Sequence, residues 1–294
     1  MPARLRLDAI GTSWSIDAPE PLGDAVVDAI RARIEAYDLA WSRFRPDATI
    51  APLARSAGEV RMPDESAELA QLYRLLHDVT DGAVTPLVGA SLERLGYGAD
   101  GVVDTGLAPQ APPAWDAALR WEGTTLRALQ PLVLDVGAAG KGQLVDLVCD
   151  VLAAHGVRDV VVDASGDLRH AGTGDAGRPT RVALEDPRAL GHAIGVVEVS
   201  GEAFCASAGN RRRWAGRHHI LDGRTGAPVD EVIGTWVIAE RAMVADAIAT
   251  ALSFAPVGVL ARHWSFEHAR MYAGGQVEAT GRFAAGLHVR RVAA

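Results

Sequence analysis

Two rhythms of apolar positions run along the chain, and the change between them organises the sequence. In the first half, Val27, Ile30, Ile34, Tyr37 and Trp41 recur at steps of three and four residues. That spacing predicts an amphipathic helix over 22–43. Leu69, Leu72, Leu76 and Val79 predict a second over 66–79, entered through Asp, Glu and Ser and stopped at Asp81-Gly82. Pro131–Val136 (PLVLDV) reads as a short strand, followed by the glycine-rich 137–142 and a helix over 143–155. This third helix carries Leu144, Val145, Val148, Cys149 and Leu152 on one side and Asp146 and Asp150 on the other. From 159 onward strand-like runs dominate, at 159–163, 181–185, 193–200, 218–221 and 234–240, before a last helix over 241–254 that stops ahead of Pro256. The Pro- and Ala-rich 106–118 reads as a surface loop. Strands in runs, punctuated by a few helices, predict an α+β fold rather than a doubly wound sheet. No linker composition interrupts the chain, so 1–294 reads as one intertwined domain.

Composition narrows the function classes. With 294 residues and 49% hydrophobic content a sizeable core is available, which excludes wholesale disorder. A net charge of −8 argues against a nucleic-acid binder. No stretch approaches the roughly 18 apolar residues of a membrane span. The opening MPARLRLDAIGTSWSIDA has no continuous apolar run and no small-residue cleavage site, which predicts a cytoplasmic protein. Cys149 and Cys205 form no CxxC and fit a reducing compartment. Of the 29 basic residues, all are Arg except Lys141. Codon bias is the plain reading of most of that imbalance. It does not account for a lysine kept inside a glycine-rich loop.

Three local arrangements carry candidate chemistry. Gly137-Ala-Ala-Gly140-Lys141-Gly142, between a strand and a helix, suits an anion, because glycines admit close approach and helix N-terminal N–H groups attract negative charge. A Walker A loop needs Gly five residues before Gly140 and Ser or Thr after Lys141. Asp135 and Gly142 stand there, so the P-loop reading fails; a tight turn with an exposed lysine is the plain alternative. Asp246 and Thr250, four apart, share a helix face and offer the hard oxygens Mg²⁺ prefers, although such pairs are usually solvated. His218 and His219 sit on a predicted strand and point to opposite faces, so at most one serves a given site as a general base. The turn after them, 222–226, offers Arg224 to a phosphate or carboxylate.

Two further signals are set aside. His263, Glu267 and His268 have the wrong spacing for an HxxEH zinc motif; at about 3.6 residues per turn the two His fall about 140° apart. Arg211–Arg213 with Trp214 and Arg217 is one short basic cluster in an acidic protein, better read as local phosphate steering or a solvated hairpin.

Taken in order, the segments resemble the ApbE-type FAD:protein FMN transferases. The resemblance rests on Gly11–Ser15, on Ser42-Arg-Phe-Arg-Pro-Asp47, and on Thr80–Gly89 with Leu95-Gly-Tyr97 beyond it. It continues through Leu134–Gly142 with Asp146, Val162–Asp167, Val182–Pro187, His219–Gly226 and Ala245–Thr250. It implies an ApbE/T-fold-like architecture of mixed, largely antiparallel sheets flanked by helices. It also implies an activity: Mg²⁺-dependent cleavage of FAD, with FMN passed to a Thr or Ser hydroxyl of an acceptor protein and AMP released. Carried over by position, Asp246, Thr250 and the carbonyl of Ala138 would hold Mg²⁺. Ala83, Val84, Thr85, Asp135, Lys141 and Leu221 would contact FAD, and His219 would be the base. The sequence departs from the family pattern at Ala54, where Asn or an aromatic residue is common, and at Thr85 for Asp, Gly223 for Pro and Gly140 for Ala. Ser207–Trp214 lacks the family's Tyr, and no lipobox is present. Three functions stay open at this point: the transferase, an FAD-binding protein or pyrophosphatase that yields FMN and AMP, and a non-catalytic interaction domain.

Overall fold

Residues Ala3–Ala9 and Thr12–Ala18 form an antiparallel hairpin that begins a nine-stranded sheet. Val160–Asp163, Asp167–Ala171, Ala203–Ala208, Val232–Ala239, Glu267–Tyr272, Val277–Ala279 and Arg291–Val292 follow, side by side in chain order. Every pairing is antiparallel except that of the last two. The computed structural model describes residues 3–99, 101–172, 178–210 and 212–288, and the backbone of 291–292. It divides into two units. One comprises 1–35, 139–208 and 230–294 and contains this sheet; the other comprises 36–138 and 209–229.

In the sheet unit the two-residue period sets what each face does. Leu168, Phe204 and Trp236 enter a core shared with Leu184, Ile194 and Val197 of the hairpin Thr180–Glu185/Ala193–Val199 and with Phe283. Their neighbours turn the other way. Cys205 Sγ lies 3.4 Å from the carbonyl of Ala242, and Thr235 Oγ1 donates to the carbonyl of Ala249 at 2.6 Å. The helices Gly140–Ala154 and Ala242–Ala251 pack against each other and against these strands.

The second unit holds the helix Ser66–Val79 and a three-stranded sheet ordered Gly58–Arg61, Thr125–Ala128, Leu119–Glu122. Its aromatic centre stacks Trp121 on Tyr73 at 6.1 Å and tilts it against Trp41 at 5.3 Å.

The α+β, largely antiparallel expectation holds, and three helices fall where spacing placed them, at Asp24–Trp41, Ser66–Val79 and Ala242–Ala251. Five details differ. The loop expected over 106–118 ends in a helical turn, Trp115–Ala118, with Trp115 and Ala118 buried. The third helix starts at Gly140, so Lys141 belongs to its first turn rather than to a loop ahead of it. Pro131–Val136 joins no sheet; Leu132 N–H and Asp135 N–H each donate singly, to the carbonyls of Leu53 and Pro86. The strand expected over 218–221 shrinks to Arg217–His218, and Leu221 forms an isolated bridge with Pro228. Glu267 and His268 begin a strand, so helical pitch does not describe them. Among the described residues no helix is long and apolar enough to cross a membrane.

Candidate functional site

Close approach of the two helices in the sheet unit depends on Gly142. A Cβ there would lie 2.2 Å from the carbonyl oxygen of Ala242, so any side chain would force the helices apart. With that contact allowed, each helix caps the other. Asp246 accepts from Gly142 N–H at 2.9 Å, at the N-terminus of Gly140–Ala154. Asp146, fully buried, accepts from Ala242 and Met243 N–H at 3.0 Å each, at the N-terminus of Ala242–Ala251. Arg169 adds a bond to Asp146 at 2.7 Å. First-turn N–H groups have no intrahelical acceptor, and the helix dipole favours a carboxylate there. The aspartates therefore answer needs the helices create. Asp146, read from sequence as part of a polar side, faces no solvent.

Lys141 reaches from that first turn to the hairpin Val160–Asp163/Asp167–Ala171. Ser165 (φ +55°) and Gly166 (φ +103°) turn the chain so that one lysine meets both sides of it. Its ammonium lies 3.0 Å from Asp167 Oδ2 and donates to the carbonyl of Ala164 at 3.2 Å. Burial disfavours the ammonium, but Asp167 and Asp246 outweigh that and hold the Lys141 pKa above the ordinary lysine value. Burial, reinforced by Asp167, raises the Asp163 carboxyl against the opposing pull of Gly166 N–H and Lys141. It also pushes the thiol of Cys205, beside Asp167 across the ladder, well above its usual range. Asp246 and Thr250 lie four apart on their helix, with Asp246 only 5% exposed. One carboxylate and one hydroxyl fit a hard cation that completes its shell with phosphate and water.

In the second unit Asp135 is held by Arg43, whose side chain is only 3% exposed, at 2.7 Å, and its other oxygen accepts from Gly137 N–H at 2.8 Å. Burial works against the charge; Arg43 and the Gly137 bond outweigh it and keep the carboxyl below its usual range. Arg43 also donates to the carbonyl of Tyr97 and lies over the Phe44 ring at 4.1 Å. Ala138 N–H donates to the Tyr73 hydroxyl at 3.2 Å. Ala83, Val84 and Thr85 are all buried, and Gly223 N–H donates to the carbonyl of Ala83 at 2.8 Å. Leu221 packs with Leu92, Leu95 and Trp214.

The adjacent histidines separate here. His218 Nδ1 accepts from Ile220 N–H at 3.2 Å, so its Nε2 carries the proton and donates to the carbonyl of Val229 at 2.8 Å. Both ring nitrogens are committed to backbone. His219, half-buried just beyond the strand, is the remaining candidate base. Arg224, expected to serve a phosphate, instead pairs with Asp222 at 2.6 Å. The basic cluster is a hairpin of Arg213–Trp214 and Arg217–His218, with Trp214 stacked on Tyr97 at 5.4 Å; Arg211 lies outside the described residues.

The ApbE family model matches residues 10–272. This chain belongs to the ApbE family. An FAD:protein FMN transferase of Rhodobacter capsulatus is 36% identical over 204 residues, which span 64% of this chain and 38% of that protein. One of Vibrio cholerae is 27% identical over 243 residues, 78% of this chain and 71% of that protein. The crystal structure of the ApbE protein of Thermotoga maritima MSB8 has the same fold, with a TM-score of 0.81 at 22% identity, covering 98% of this chain and 100% of that one.

The backbone around Gly223 leaves no room for a side chain. A Cβ at Gly223 would lie 2.5 Å from both Gly82 O and Thr85 Cγ2. The carbonyl of Ala83, at 2.9 Å from that Cβ, closes the space further, and the Thr85 hydroxyl accepts from Leu87 N–H at 3.3 Å. Ala54 is exposed at the end of a single helical turn, Ala51–Ala54. Three residues with clear structural roles, Arg43, Asp146 and Asp167, stand in the ApbE segments of this sequence, but no spacing rule singles them out. Only burial and partner geometry do.

Proposed function

We propose that this chain is an FAD:protein FMN transferase and that 1–294 works as one intertwined ApbE domain. The supporting observation is the crossing of helices Gly140–Ala154 and Ala242–Ala251, which fixes the Lys141 ammonium and presents the Asp246–Thr250 oxygens from a buried frame. Asp246, Thr250 and the carbonyl of Ala138 would hold Mg²⁺, which would neutralise charge on the FAD pyrophosphate. Lys141 donates to a phosphate oxygen. Asp135, the 83–85 segment and Leu221 contact the rest of FAD. Thr85 makes its contribution through methyl and backbone, because its hydroxyl already accepts from Leu87 N–H.

The reaction balances without an added oxidant or reductant. The hydroxyl oxygen of an acceptor Thr or Ser bonds to the FMN phosphorus, and the phosphoanhydride bond to AMP breaks. His219 takes the hydroxyl proton into its imidazole. Little covalent chemistry falls to the protein; positioning and charge neutralisation supply the rate. We place the reaction in the cytoplasm, a reading supported by two buried free thiols, Cys149 and Cys205; cell fractionation tests it.

The deciding experiment mixes purified protein, FAD, Mg²⁺ and a Thr-containing acceptor peptide and weighs the peptide. A gain equal to FMN minus water is expected. AMP with free FMN and an unmodified peptide would make the chain a pyrophosphatase. Failure to bind FAD would overturn both.

A further inference from the structure

Asp167 is fully buried, 0% exposed, yet neither carboxylate oxygen has a hydrogen-bond partner of good geometry. Among the described residues its ion-pair partner is Lys141, at 3.0 Å. A buried carboxylate with a single ionic neighbour is a poor device for stability alone, since replacing such pairs by apolar groups is often neutral or stabilising. The arrangement suits a different task. The lysine has three donors. The ammonium is ion-paired with Asp167, donates to the carbonyl of Ala164 at 3.2 Å, and the side chain keeps 20% of its surface exposed. An ion pair and a hydrogen bond to one hairpin therefore fix where the ammonium sits and leave a donor to point away from them. Asp167 cannot follow a mobile lysine, because its strand is paired on both sides, Leu168 with Asp163 and Phe204.

We propose that Asp167 is a positioning residue of the transfer reaction: it acts through Lys141, locking the ammonium so that a remaining N–H meets the FAD pyrophosphate. This inference rests on the function proposed above. It also explains why the chain's one lysine has not become arginine. An ammonium can turn three separate donors toward a carboxylate, a carbonyl and a phosphate, whereas a guanidinium presents its donors in one rigid plane.

The single lysine makes the test direct. Labelling with [¹³Cε]lysine gives one methylene group. Its two Hε protons are inequivalent when the side chain is locked and average together when it swings. In the wild type two Hε signals are expected; one averaged signal would overturn the proposal with no variant needed. In Asp167→Asn the signals are expected to merge. The wild-type FAD Kd should be kept within about threefold while kcat falls on the order of 10²-fold, the scale of a misplaced reacting group. On a Lys141→Gln background the same change is expected to cost no further turnover, since a residue acting through lysine has nothing left to act on. Two inequivalent protons with wild-type kcat in Asp167→Asn, or a further loss above tenfold in the double variant, would overturn it. A wild type that locks its lysine but never modifies the peptide or cleaves FAD would instead refute the proposed function.

Discussion

Lys141 carries two kinds of consequence, and substitutions separate them. Removing its side chain leaves Asp167 buried without a cation, which typically costs about 3–5 kcal/mol. Lys141→Ala is therefore expected to lower the urea midpoint sharply, and its loss of activity would mix unfolding with chemistry. Lys141→Arg keeps the charge; its midpoint should stay near wild type while turnover falls at least tenfold. Unchanged turnover in that variant would make the lone lysine an accident of composition. The histidines give a second contrast. His218→Ala removes a ring bonded to backbone on both nitrogens and should lose about 1–3 kcal/mol in urea denaturation. His219→Ala should fold normally and lose peptide modification. Equal activity in the two variants would remove His219 from its role. Lys141 and Asp246 are legible in the sequence because composition and helical spacing mark them. Asp167 is not, because its importance lies in being buried beside the lysine, a relation set by a turn 23 residues away.

At the scale of elements, the reciprocal capping of two helices is the least legible feature and the easiest to perturb. Asp146→Ala orphans the N–H groups of Ala242 and Met243 at a buried helix end; the expected loss is on the order of 2–4 kcal/mol. Asp146→Asn, which still accepts one bond, should lose less. Gly142→Ala introduces a methyl where the Ala242 carbonyl stands, an overpacking that should cost roughly 1–3 kcal/mol and weaken the Asp246 bond as well. A midpoint equal to wild type in Gly142→Ala would mean that the helices part without cost. Helices declared themselves in the sequence because long apolar stripes survive averaging. The strands Gly58–Arg61, Leu119–Glu122 and Thr125–Ala128 did not, since four residues hold barely two alternations and these contain Arg and Glu. PLVLDV misled for the opposite reason. Leu132, Leu134 and Val136 are buried, but single hydrogen bonds to separate loops serve its backbone instead of a ladder.

For the molecule as a whole, ligand linkage is the sharpest readout, because a ligand that binds only the folded chain raises stability by mass action. FAD at 100 times its Kd should add about 2.7 kcal/mol and raise Tm by roughly 5 °C for a chain of this size. Mg²⁺ alone should add little, since one carboxylate, one hydroxyl and one carbonyl make a weak site without phosphate oxygens. Mg²⁺ with FAD should add more than FAD alone, about 1.4 kcal/mol for every tenfold it tightens binding. Asp246→Asn isolates that increment. The amide oxygen still accepts from Gly142 N–H, so the helix crossing survives, while the charge that attracts the cation is gone. The expected pattern is an unchanged apo midpoint, a retained shift with FAD, and no additional shift with Mg²⁺. A full Mg²⁺ increment in Asp246→Asn would move the cation to other residues, and a collapsed apo midpoint would show that the carboxylate serves the helix crossing more than the metal. The charge of Asp246 then has two possible uses, and this one variant distinguishes them, because only the second depends on a phosphate being present.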